Sequence, residues 1–234
     1  GVAPEVAKRF TVYTLTFAGF DGEPPVQPPY LDAFAKSIED LIAAEKLDKP
    51  ILVGHSLGGH LAVRVAEEIP SRIGAVMVVD MLPLFPPPQA AETPQTRETQ
   101  AAGFRNAILA ATPAQFGTAA RAYMTGLVTD PKNADFLTQR SLRSDRATYA
   151  GAAYELSLAD LRPNLSKIAL PLEVLAPADP ETVTPQILQF YTAAFAGTPN
   201  LDVEAVAPSK HFIMYDQPAK FQTLLDAFLA KNGG

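Results

Sequence analysis

The chain has 234 residues, 47% apolar and 19% charged, which is ordinary for a globular protein and too apolar for a disordered one. Its net charge of −6 argues against nucleic acid or an anionic membrane as partner. With no cysteine and three histidines, it excludes disulfides, cysteine metal sites and a cysteine nucleophile, and it disfavours a histidine metal cluster.

The length suits one α/β domain with a modest insertion. No apolar run approaches the roughly 18 residues of a membrane span. In chain order, residues 1–9 read as the tail of a helix, and Phe10–Ala18 (FTVYTLTFA) has the alternation of a strand. Gly19–Pro29 is a loop by its glycine and proline content. Leu31–Lys46 places Leu31, Phe34, Ile38, Leu41 and Ile42 at helical spacing. Pro50–Gly54 is a short apolar run, as expected for a strand buried on both faces of a parallel sheet. A helix over Leu57–Glu68 and a second buried strand over Gly74–Asp80 follow. Strands alternating with helices predict an α/β fold with a mostly parallel sheet.

The alternation then stops. Pro83–Pro94 is a proline-rich linker, and Ala90–Ser157 reads as helix after helix. This insertion of about 75 residues is too long for an ordinary connection. The pattern resumes at Pro171, with strands over 172–176 and 201–206 around a helix over 185–197 and a final amphipathic helix over Pro218–Lys231. The expected division is a core of residues 1–82 and 165–234 with a helical insertion of 83–164.

Gly54-His55-Ser56-Leu57-Gly58 matches G-x-S-x-G. The pattern alone is weak, with roughly one chance match in a dozen chains of this length. Its position after a buried strand and at the start of a helix makes it strong, because a nucleophile elbow needs that arrangement. Small flanking residues let the serine project, and the Leu57 N–H can donate to a developing oxyanion. A serine hydroxyl needs a base. His55 and His60 lie too close to Ser56 in sequence to approach it from across the sheet edge, which leaves His211, just after the last expected strand. The order serine, then histidine near the C-terminus, fits this use of the two residues. Asp216 reads as a cap for the final helix, ahead of Pro218.

Thr16–Gly22 (TFAGFDG), GHSLGG at 54–59, the strand GAVMVVD, the APADP loop and HFIMYDQP at 211–218 together resemble the α/β-hydrolase family of esterases, lipases and perhydrolases. The resemblance spans nearly the whole chain outside the helical insertion, which then corresponds to the family's cap. It implies a carboxylate that orients His211. Asp179, after strand 172–176, stands at the family's usual acid position, although Ala176 replaces the more usual glycine. Asp80, ending strand 74–80, is the alternative, because some members take their acid there. Chain order favours Asp179.

One expected part is missing. The family places a strand and an HG-type loop, source of the second oxyanion donor, before the first helix. No such strand precedes Thr11, so the N-terminal strand is expected to lie outside this sequence. The implied chemistry is hydrolysis of a small-molecule ester of a small or medium apolar acid, through an acyl-enzyme and without metal or organic cofactor. Met81 and Leu82, beside the strand end, are expected in the pocket wall, and the insertion offers Phe85, Phe104, Phe116, Tyr123 and Met124. A hydroxynitrile lyase or cofactor-free perhydrolase would use the same residues. A non-catalytic binding protein on this fold is a third reading.

Overall fold

The computed structural model describes residues 2–178 and 184–233. A short helix, α1 (Ala3–Val6), begins it. Residues 11–17 then run without belonging to any sheet, so the strand expected over Phe10–Ala18 is not formed. Its alternating side chains suit a pleated surface, but a strand exists only through a ladder partner, and none pairs with it among the described residues. Tyr13 and Leu15 accordingly remain exposed, while Phe10, Val12 and Phe17 pack against the core.

Helix α2 (Tyr30–Ala44) buries Leu31, Phe34, Ala35, Ile38 and Ile42, the face expected from their spacing. Strand β1 (Ile51–His55), helix α3 (Leu57–Glu68) and strand β2 (Ala75–Val79) follow. Then come four helices, α4 (Pro94–Ala110), α5 (Pro113–Leu127), α6 (Pro131–Leu142) and α7 (Arg146–Leu158). The chain returns through strand β3 (Leu172–Pro177), helix α8 (Thr184–Ala194) and strand β4 (Leu201–Val206) to α9 (Ile213–Asp216) and α10 (Pro218–Asn232).

The four strands form one parallel sheet in the order β1-β2-β3-β4. Every residue of β2 is buried. Val76 and Val78 join the cluster built with α2 and α3, while Ala75, Met77 and Val79 join the one built with α10. Burial on both faces is why this stretch is continuously apolar. Among the described residues strand β1 pairs with β2 alone, and its Val53 is 45% exposed.

Helices α4 to α7 each begin on a side-chain cap. Thr93 and Thr96, and Thr112 and Gln115, exchange reciprocal hydrogen bonds, and Asp130 and Asp145 accept from Lys132 N–H and Thr148 N–H. Pro94, Pro113 and Pro131 sit in the first turns, where a missing N–H costs nothing. Helix α7 fastens this segment to the rest. Its Glu155 accepts from the Tyr30 and Leu31 N–H groups at 2.9 and 2.8 Å, filling the positive end of α2. Gly151 lets α7 approach, since a Cβ there would lie 2.2 Å from the Tyr30 ring. Asp21 adds ion pairs to Arg140 and Arg143.

Candidate active site

The chain turns sharply after β1. Ser56 has φ 53° and ψ −124°, a strained conformation costing on the order of 1–3 kcal/mol. Two hydrogen bonds hold it: the Ser56 N–H donates to the Val79 carbonyl at 3.0 Å, and the Ser56 carbonyl accepts from the His60 N–H at 3.1 Å. A Cβ on Gly54 would lie 2.1 Å from the Gly58 carbonyl oxygen, and one on Gly59 would lie 3.0 Å from the Gly54 carbonyl oxygen. A Cβ on Gly58 would meet nothing within 4 Å. The tight approach therefore rests on Gly54 and Gly59.

Asp80 stands one residue beyond β2, at φ 45°, its N–H donating to the Leu175 carbonyl. His211 lies in the loop after β4, and its Nδ1 is 2.6 Å from Asp80 Oδ2. If Nδ1 carries the proton donated there, Nε2 is left as a proton acceptor. Both side chains are largely buried, 20% and 15% exposed. The other Asp80 oxygen, Oδ1, accepts from the Tyr191 hydroxyl of α8. Asp179 lies outside the described residues.

His55 holds the same loop from the β1 side. Its Nε2 lies 3.0 Å from the His211 carbonyl oxygen, and its ring packs 4.5 Å from that of His211 and 4.7 Å from Phe212. Burial, then the neighbouring His211, push its pKa down to about 3, so the neutral ring donates to the carbonyl. Asp216 does not cap α10, which starts on Gln217 with no side-chain cap. Asp216 instead accepts from the Thr129 and Lys210 N–H groups, both at 2.8 Å. Two loop amides with no helical partner claim both of its oxygens, and they tie the His211 loop to the α5–α6 connection.

Ser56, Leu57, Asp80 and His211 all line one cavity of about 900 Å³ between the ends of the strands and helices α4–α7. Ligands in open α/β sheets bind at that end of the strands. Met81 and Leu82 both belong to the main core cluster; Met81 is also in the cavity wall, and Leu82 is not. Phe85, Phe104, Tyr123 and Met124 line the cavity, whereas Phe116 packs 6.2 Å from Tyr149. Arg97, also in the wall, pairs with Glu92 at 2.6 Å and donates to the Ser157 and Pro86 carbonyls. Its charge is thus taken up within the protein. Burial pushes the Tyr149 phenol up to about 12, so it is a neutral donor near neutral pH. Sequence reasoning missed the contacts of His55 and Tyr191, since each is made only on folding with a residue distant in sequence.

Among the described residues, no three potential metal ligands gather into a metal site, and no helix is long and apolar enough to cross a membrane. A sequence model described as the Alpha/beta hydrolase family matches residues 1–222. A hydrolase from Oleispira antarctica is similar in structure, with TM-score 0.80 at 18% identity, over 99% of this chain and 85% of that one. An esterase from Exiguobacterium antarcticum has TM-score 0.74 at 16% identity, over 92% of this chain and 79% of that one. An uncharacterized protein of Mycobacterium tuberculosis is 30% identical over 80 residues, which are 34% of this chain and 24% of the relative. The match thus spans about a quarter of that relative's length. The fold, the match over residues 1–222 and the strained serine turn agree: the chain belongs to the alpha/beta hydrolase family.

Proposed function

We propose that this protein hydrolyses carboxylic esters of small or medium apolar acids through an acyl-enzyme on Ser56, with His211 as base and Asp80 as the acid that orients it. The observation that carries the proposal is the 2.6 Å contact between His211 Nδ1 and Asp80 Oδ2, beside a serine at φ 53° on the same cavity wall. This contact favours Asp80 over Asp179, against the order of the chain. Residues 83–164 serve as the cap over a core of 1–82 and 165–234. Met81 shapes the pocket.

In the proposed reaction, Ser56 Oγ attacks the ester carbonyl carbon and His211 Nε2 takes its proton. The Leu57 N–H, at the first position of α3, donates to the oxyanion as it forms. The intermediate collapses, and the alcohol leaves with the proton from His211. Water then repeats the sequence on the acyl-enzyme, releasing the acid. Asp80 holds the imidazole and stabilises its cation.

The test is turnover of p-nitrophenyl esters from acetate to dodecanoate by the wild type and by Ser56→Ala. The expected result is hydrolysis favouring short to medium chains, lowered at least about 10³-fold in Ser56→Ala. Hydrolysis unchanged in Ser56→Ala, or none by the wild type on any ester, would overturn the proposal.

A further inference from the structure

The Asp80 carboxylate is largely buried, and its one ion-pair partner among the described residues is His211. Its two oxygens are divided between two partners. Oδ2 meets His211 Nδ1, and Oδ1 accepts from the Tyr191 hydroxyl. Tyr191 is 7% exposed and comes from α8, between β3 and β4, while Asp80 follows β2. The hydroxyl therefore reaches the carboxylate from outside the strand that carries it. The Asp80 backbone is fixed as well, by its N–H bond to Leu175 in β3.

A buried carboxylate with a vacant oxygen can rotate about its side-chain bonds and is poorly solvated. A phenol bound to that oxygen restricts the rotation and supplies the missing hydrogen bond to the charged form. We propose that Tyr191 is a positioning residue for the reaction: it orients the Asp80 carboxylate so that Oδ2 faces His211 Nδ1. The inference rests on the triad reading above.

Near Asp80, the described charged or titratable groups are Tyr191, His211, His55 and Tyr123. Burial and the Asp80 charge both push the Tyr191 phenol up, so it stays a donor throughout the working pH range. A tyrosine that only packs would keep its ring contacts with Phe190 and do nothing for His211. Tyr191→Phe separates the two roles, because it keeps the ring and removes the hydroxyl.

The experiment measures kcat, KM, the pH profile of kcat/KM and the thermal midpoint for the wild type and for Tyr191→Phe. It repeats the kinetics with Tyr191→Phe in an Asp80→Asn background. The expected loss in kcat is about 5- to 30-fold, the usual scale for a hydrogen bond to a charged group, with KM changed less than about twofold. The acidic limb of kcat/KM should move to lower pH, because a carboxylate no longer held facing Nδ1 stabilises the imidazolium less. In the Asp80→Asn background the hydroxyl should matter less than about twofold, since its target is altered. Unchanged kcat and pH profile in Tyr191→Phe, or an equal loss in both backgrounds, would overturn the proposal. If Ser56→Ala is inactive while Tyr191→Phe matches the wild type, the Tyr191 role falls alone. If Ser56→Ala keeps full activity, the triad reading falls and takes this inference with it.

Discussion

His60 makes the stability of this protein pH-dependent in a way that can be worked out. It stands four residues after Ser56, on α3, is 1% exposed, and neither ring nitrogen has a hydrogen-bond partner among the described residues. Burial first, and Arg64 second, push its pKa from 6.5 down to about 4. A histidine whose folded pKa is depressed stays neutral in the folded state while the unfolded chain binds a proton. Stability is therefore retained above about pH 6.5 and falls as pH drops from there towards 4. Linkage over that gap gives a loss of about 2 kcal/mol between pH 7 and pH 5, approaching about 3 kcal/mol below pH 4. His60→Leu removes the proton site together with two unsatisfied buried nitrogens. Its stability at pH 7 should equal or exceed that of the wild type, since an apolar replacement leaves no polar group unpaired. Urea unfolding at pH 7, 6 and 5 gives the comparison, with His55 and the other titrating groups common to both proteins. The expected result is that the gap between variant and wild type widens by about 2 kcal/mol from pH 7 to pH 5. Parallel stability curves across that range would refute the burial of a neutral, unpaired His60.

Two further substitution sets test the turn and the cavity wall. Gly54→Ala should cost more than about 3 kcal/mol, because its Cβ would overlap a backbone oxygen that cannot move aside. Gly58→Ala should be neutral or stabilising by about 0.5–1 kcal/mol, alanine being favoured over glycine in a helix. Urea midpoints measure both, and equal losses would contradict the different packing at the two positions. Arg97→Leu strands the Glu92 carboxylate, which is 9% exposed, and should cost about 3 kcal/mol. Adding Glu92→Leu should recover most of that loss, whereas a wild-type midpoint in Arg97→Leu would show the pair to be idle.

The elbow was legible because its motif stands between an apolar strand and a helix, and both formed at the expected places. Chain order also pointed to His211. It favoured Asp179, whereas the observed contact is with Asp80; the two positions are hard to tell apart in sequence because β2 and β3 are adjacent and each aspartate follows one of them in the chain. The path of the His211 loop brings it to Asp80, and that loop is held by contacts remote in sequence, from Asp216 to Thr129 and from His55 to the His211 carbonyl. The Phe10–Ala18 segment shows the converse failure. Its alternation records a fit to a sheet, while strand formation depends on a neighbour that local pattern does not reveal. Met81 and Leu82 divided in a simpler way, since both join the main core cluster and just Met81 also reaches the cavity. The helix starts within 83–164 were readable in principle, as Thr-Pro, Thr-Pro and Asp-Pro at 93, 112 and 130.

The central claim is that Ser56 is a nucleophile activated by His211 and Asp80. Its most direct test is reaction of the purified protein with a fluorophosphonate, followed by mass spectrometry of the intact chain and its peptides. The account predicts one adduct per chain, on the peptide holding Ser56, absent in Ser56→Ala and formed far more slowly in Asp80→Asn. An adduct on another residue, or labelling of Ser56→Ala at the wild-type rate, would contradict it.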